Sequence, residues 1–152
     1  CNPAVGGVGK GQIVREIDAL GGLMGRVADA TGLQFRLLNT SKGPAVHSPR
    51  CQSDRVRYAE AVRAELENTP GLLFRQDQVV DLTVADGRVA GVVTALGAEL
   101  GARAVVVTSG TFLGGVMHVG ARQAGGGRAG EAPAVGLTAA LHRLGLETGR
   151  LK

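Results

Sequence analysis

The 152-residue sequence predicts an α/β fold, a sheet reached through a β-meander crossover, on three observations. Apolar residues recur at helical spacing through 12–30. Two hairpin signals punctuate an alternating stretch at 78–101. A continuous β-branched run then comes at Ala102–Thr108. At this length, with 44% hydrophobic residues, the chain can bury the core of one domain, which excludes the disordered class.

The opening stretch, CNPAVGGVGKG, reads as a glycine-rich loop. A phosphate cradle needs backbone amides converging on an anion, usually between a strand and a helix start. The Walker pattern fails here at Ala4 and at Gly11, and a GxGxxG pattern starting at Gly7 and Gly9 ends on Gln12. No hydrophobic strand precedes a loop that starts at residue 1. From 12 to 30, Ile13, Val14, Ile17, Leu20, Met24, Val27 and Ala28 form one apolar stripe of an amphipathic helix, broken or bent at Gly21 and Gly22. LQFRLLN is a short strand, and TSKGPAVHSPRCQS is a long turn-rich loop of the kind that carries function. Ser53 or Asp54 caps a second helix to about Glu67, with Val56, Ala59, Val62 and Leu66 on one face, and Asn68–Gly71 ends it.

Asp86-Gly87 and Leu96-Gly97 are hairpin turns, which makes a three-stranded meander over 78–85, 88–94 and 97–101. Ala102–Thr108 reads as a parallel strand buried on both faces. In open α/β sheets ligands lie beyond the carboxyl ends of such strands, so TSGTFLGG, with Gly110 and Thr111 at its centre, is a candidate ligand loop. ARQAGGGRAGEAPA is a polar loop, and VGLTAALHRLGL resumes a helix through Leu137, Leu141 and Leu144.

Seventeen basic residues face 13 acidic ones, and all but three of the basic residues are Arg, whose planar fork suits phosphate and carboxylate. Three Phe and one Tyr are too few for a base-stacking platform, so any nucleic-acid contact rests on charge. Twenty-five glycines point either to close approach of backbone to a ligand or to a general small-residue bias. Cys1 and Cys51 make neither a disulfide framework nor a zinc motif, and a reducing compartment fits them. His47, His118 and His142 lack metal-ligand spacing, so no metal is expected. No run reaches the roughly 20 apolar residues of a membrane span, and no signal peptide is visible. The absence of an initiator Met fits a piece of a longer chain. Cys1, beside backbone amides and nine residues from Lys10, is either an activated thiol or a small packing residue.

CNPAVGGVGKGQIVREIDALGG, QFRLLNTSKGPAV, SGTFLGG followed by MHVG, GGRAGE and the terminal GRLK together resemble, in order and spacing, the MnmG (GidA) family of tRNA-modifying flavoproteins. The resemblance covers the whole chain. It implies part of a Rossmann-like FAD-binding domain whose first strand and GxGxxG loop are missing, spanning 1–152. Within it, 1–71 is the flavin-side loop, helices and inserted segment, 72–115 the meander and buried strand, and 116–152 the basic loop and helix. It further implies an enzyme that adds a carboxymethylaminomethyl group to C5 of the wobble uridine of tRNA. FAD is the cofactor, with NADH and methylenetetrahydrofolate as co-substrates. The partner is the GTPase MnmE, in a heterotetramer holding a homodimer of each subunit, in the cytoplasm and away from membrane.

By the same resemblance Cys1 is a catalytic candidate, and Val79, Ala134, Gly6, Gly7, Gly9 and Lys10 are cofactor candidates. Val79 would meet the adenine region through its backbone. Ala134 stands where the family commonly has Ser, so only a backbone contact is open to it. Lys42, Arg128, Arg150 and Lys152 are candidates for facing RNA. The family's TGTP after GRLK is missing. The related folate-dependent tRNA methyltransferase matches SKGPAV and GRLK poorly. A stand-alone basic RNA-binding module and a non-functional remnant are the remaining alternatives.

Overall fold

A computed structural model describes residues 3–149, and the chain divides into two units, Cys1–Phe74 and Arg75–Lys152. The first unit runs β1 (Ala4–Gly6), α1 (Lys10–Ala19), α2 (Leu23–Thr31), β2 (Gly32–Leu38), a single 3-10 turn at Pro44–Val46, β3 (Ser48–Ser53) and α3 (Arg55–Glu67). Its sheet is antiparallel with order β1-β3-β2. As the glycine pair predicts, the long helical pattern is split at Gly21 and Gly22, with Gly21 at φ +82°. The apolar stripe is only partly buried. Val27 and Ala28 are in the core, whereas Ile13 and Leu20 face outward.

Two parts of this unit correct the sequence reading. Ala4–Gly6, expected as loop, is a strand, so the glycine-rich stretch does link a strand to a helix. Ser48–Ser53, expected within a long loop, is the central strand of the sheet. No alternation marks it, because its buried residues are small and fall on both faces: Ser48 is buried on one, Cys51 and Ser53 on the other. Pro49 is tolerated because pairing with β1 begins at Arg50, while the Pro49 carbonyl accepts the Gly7 N–H at 2.9 Å. The Ser48 hydroxyl is satisfied by the Val46 carbonyl, at 2.9 Å, and by the Gln12 amide, which donates to it at 3.0 Å.

Helix α3 is capped by Asp54, whose carboxylate accepts from the Val56 and Arg57 N–H groups at 3.0 Å. Val56 and Ala59 are exposed, contrary to the predicted face; Tyr58, Ala61, Val62 and Leu66 are the half-buried positions. Burial raises the Tyr58 phenol above its ordinary pKa.

The second unit runs β4 (Val79–Ala85), β5 (Arg88–Thr94), β6 (Glu99–Gly101), β7 (Val116–Val119), β8 (Arg122–Gly125) and α4 (Leu137–Arg143). β4-β5-β6 is the expected meander, turned at Asp86-Gly87, both residues with positive φ, and again at Gly97. Its core is Leu82, Leu137 and Ala140, with Val79, Val92, Val105, Leu113 and Leu141 packed around it. Helix α4 comes close to β4 at Gly136, where a Cβ would fall 2.8 Å from the Val80 carbonyl oxygen.

Ala102–Thr108 is not a strand. The last ladder bond is Ala102 N–H to Ala90 C=O at 2.8 Å, and among the described residues no strand pairs with Arg103–Thr108. Val105 packs on the core, but Val106 is 81% exposed. A run that is apolar on both faces needs neighbours on both edges and both faces, and the described residues supply only one face. The polar loop after Val119 is likewise corrected: Arg122–Gly125 pairs with Val116–Val119 as a hairpin. The named strands pair only antiparallel, with one isolated parallel bridge between Leu113 and Ala134. The fold is thus mixed α and β with small sheets.

Glycine packing in the first unit gives a direct test. A Cβ on Gly11 would lie 2.4 Å from the Pro49 carbonyl oxygen and 2.7 Å from its ring, whereas one on Gly25 would meet chiefly the movable Asp18 carboxylate. Gly11→Ala is expected to destabilise by roughly 1–3 kcal/mol. Gly25→Ala, in a helix interior, is expected to be neutral or to gain up to about 1 kcal/mol. Chemical unfolding of both variants checks this, and equal effects would contradict the packing.

Candidate functional site

The second unit holds a cavity of about 290 Å³, close to the lower bound for ligand sites. Leu82, Val92 and Leu137 belong to its lining from the core side; Val79 and Ala134, distant in sequence, line it together, and Thr108 and Ser109 add hydroxyls. Asp77 is the sole charged residue of the lining, and there is no Lys or Arg. A phosphate would find no cation here; a flat, uncharged heteroaromatic ring would find apolar walls and polar edges.

Hydrogen bonds hold the walls. The Ala134 N–H donates to the Phe112 carbonyl at 2.9 Å, and its own carbonyl accepts from Gly114 N–H at 2.8 Å. The Ala134 N–H is therefore engaged, and its carbonyl keeps one lone pair for a ligand. Gln78 donates through Nε2 to the Val135 carbonyl at 2.9 Å, and its backbone carbonyl accepts from Ala95 N–H at 2.8 Å. Together these tie the entry of β4 to the segment carrying Ala134.

The candidate ligand loop reaches this cavity at Thr108, Ser109 and Leu113 but not at its centre. Thr108 and Ser109 line it; Gly110 and Thr111 come next in a turn and are not part of the lining. Leu113 is, through the bridge to Ala134. Asp77, Gln78, Leu113 and Leu137 were missed from sequence. The alternation of 78–85 and the helical period after Gly136 were the available signals, but nothing in one sequence says that these two elements share a wall.

The first unit has a cavity of its own, about 500 Å³, between its helices and sheet. Gly6 and Gly11 border it along with Val14, Ala28, Phe35 and Cys51. Gly7, Gly9 and Lys10 do not. The Cys51 thiol is buried and lies 3.4 Å from the Ala28 carbonyl and 3.6 Å from the Ser53 hydroxyl, the setting of a packing residue.

Of the basic candidates, Lys42 is exposed in a turn closed by its own N–H to the Asn39 carbonyl, and its carbonyl meets the His47 ring at 3.0 Å. Arg128 is held by Glu131. Cys1, Arg150 and Lys152 lie outside the described residues. Among the described residues no His, Cys, Asp and Glu group could hold a metal ion, and no helix is long and apolar enough to cross a membrane.

Asp81 on β4 is hydrogen-bonded by Arg143 of α4 and by the Leu82 N–H, and these donors, Arg143 foremost, hold its carboxyl below the usual carboxylate range. A depressed folded-state pKa stabilises above the unfolded value, about 3.9. That contribution is lost as pH falls through the folded value. Asp81→Asn is expected to flatten the acid limb of the second unit's thermal stability below about pH 4. Parallel acid limbs in wild type and variant would refute the assignment.

Comparison with known proteins gives concordant matches. The family model for glucose inhibited division protein A covers residues 1–152. The tRNA uridine 5-carboxymethylaminomethyl modification enzymes MnmG of Porphyromonas gingivalis and Flavobacterium johnsoniae are 61% and 56% identical over 152 residues, all of this chain and 24% of each relative. The crystal structure of Aquifex aeolicus GidA superposes with a TM-score of 0.83 at 52% identity, over 94% of this chain and 24% of that one. A GidA-related protein from Thermus thermophilus, at 23% identity and a TM-score of 0.56, shares the fold.

Proposed function

The chain belongs to the glucose inhibited division protein A family, MnmG, and on that premise we propose that it is a segment of an FAD-dependent enzyme that modifies C5 of the wobble uridine of tRNA. The chain spans about a quarter of the curated relatives it matches, 24% of each. The whole enzyme's activity is therefore assigned to a longer protein and not to these residues alone.

The observation that carries the flavin reading is the convergence of Val79 and Ala134 on one apolar cavity that has no cation in its lining. This supports the adenine end of FAD as the occupant, bounded by Val79, Ala134 and the rim residues Gln78, Thr108 and Ser109. The fit is to that end only. The sequence has no GxGxxG turn to receive a pyrophosphate, so the phosphates and the ring that does chemistry would be held chiefly by other residues. When bound, the flavin supplies redox and one-carbon chemistry that side chains alone perform poorly. NADH, methylenetetrahydrofolate, the GTPase MnmE and the heterotetramer belong to the same proposal, as do Cys1 as nucleophile and Gly6–Lys10 as the turn beside the flavin.

Surface area supports a segment that is completed by further structure. The chain exposes 11388 Å². Two independent compact units of half its mass would together expose only about 8700 Å² by the scaling of accessible surface with mass. Leu20, Leu33, Phe35, Leu73, Phe74 and Val106 are among the large apolar residues left in solvent.

Two measurements test the reading. The isolated 152-residue chain is expected to bind FAD weakly or not at all and to show no turnover; stoichiometric flavin absorbance after purification would contradict this. In a full-length flavoprotein carrying the segment, Ala134→Phe puts a ring into the cavity and is expected to lower FAD affinity roughly tenfold or more. Unchanged flavin content would remove the cavity from the cofactor site.

A further inference from the structure

We propose that Asp77 sets the base specificity of the cavity in the second unit: its carboxylate accepts a hydrogen bond from the 6-amino group of a purine and turns away a purine with an oxygen at that position. The inference rests on the adenine reading above. Asp77 is exposed yet belongs to the cavity lining, two residues before Val79, so its carboxylate stands at the mouth. The Gln78 N–H donates to Asp77 Oδ1 at 2.7 Å, which holds the carboxylate in place and leaves Oδ2 to accept from a ligand. Among the described residues Asp77 forms no ion pair, and no Lys or Arg in the lining competes for it.

The backbone beside Asp77 does not discriminate by itself. β4 is an edge strand of the meander, and Val79 stands opposite Thr94. The ladder bond next to this pair runs from the Ala95 N–H to the Gln78 carbonyl, so Val79 and Thr94 are a non-hydrogen-bonded pair. The Val79 N–H and C=O therefore point off the open edge of β4. A donor beside an acceptor takes adenine through N1 and the 6-amino group. After a small slide it takes hypoxanthine or guanine as well, through O6 and the N1–H. The Thr108 and Ser109 hydroxyls donate or accept, and so suit either base. The Gln78 amide is committed through Nε2 to the Val135 carbonyl at 2.9 Å. A carboxylate only accepts. Opposite the 6-amino group it gains a charge-assisted hydrogen bond, and opposite O6 it meets another acceptor with no proton between them.

The test titrates the apo form of a full-length flavoprotein carrying the segment with FAD and with its deaminated analogue, flavin hypoxanthine dinucleotide, by quenching of flavin fluorescence. Wild type is expected to prefer FAD about tenfold, the low end for a hydrogen bond to a charged group, because Asp77 keeps contact with water. Asp77→Asn, whose amide can turn its NH2 toward O6, is expected to bring the two dissociation constants within about threefold of each other. Asp77→Ser, which keeps an acceptor for the Gln78 N–H, is expected to do the same. Asp86→Asn, at the exposed hairpin turn, removes the same charge away from the cavity and is expected to leave the preference unchanged. A fall there would assign the effect to net charge and overturn the proposal. Equal affinity of wild type for both dinucleotides, or a preference that survives both Asp77 variants, would overturn it too. Titration with FMN separates the two readings. If wild type binds FMN as tightly as FAD, the adenine end is not held and both fail. If FAD binds more tightly than FMN and Ala134→Phe abolishes that advantage, while Asp77→Asn keeps the preference for FAD over its analogue, the adenine reading stands and Asp77 is not the selecting residue.

Discussion

The Pro49 carbonyl oxygen is the point around which the first unit is organised. It accepts the Gly7 N–H at 2.9 Å, and Gly6 and Gly11 come so close that a Cβ on either would sit 2.3 or 2.4 Å away. One oxygen thus fixes where β1 ends, how the turn through Gly7–Gly9 is routed and where α1 begins. It also sets the register of β1 on β3, in which Val5 pairs with Cys51, whose thiol turns to the Ala28 carbonyl. The glycines that first suggest a phosphate loop have a structural duty here: they admit a backbone where a side chain would collide.

The second unit uses the same device once, at Gly136, whose closeness to Val80 seats α4 against the meander. The difference lies in what is left open. On the first sheet the gap falls between helices and strands; in the second unit it falls beside an extended segment that packs Val105 inward and turns Val106 outward. A cavity walled by an extended segment that no strand pairs with among the described residues is open to reshaping.

Much of the local fold was legible because it depends on short-range chemistry. Asp86-Gly87 dictates its hairpin, Asp54 caps its helix, and Gly21-Gly22 interrupts one. What stayed hidden depends on contacts distant in sequence. Ser48–Ser53 resembles a loop because its buried residues are small and follow no alternation, and only the partners β1 and β2 and the hydroxyl bonds of Ser48 make it a strand. Ala102–Thr108 errs in the opposite direction: its β-branched run has strand propensity, but propensity without edge partners gives an extended chain and no sheet. In the candidate site, the nearness of Val79 to Ala134 rests on the Gln78 amide reaching the Val135 carbonyl and on Gly136 meeting Val80, which no spacing announces.

The 11388 Å² of exposed surface also governs how the isolated chain responds to denaturant and heat. Both the denaturant dependence of stability and the heat capacity of unfolding scale with the surface that folding had hidden. A chain that leaves Phe35, Leu73 and Phe74 in water has less to reveal when it opens. Its transitions should be broad and its stability curve shallow for 152 residues. Sharp cooperativity would require these apolar surfaces to be covered.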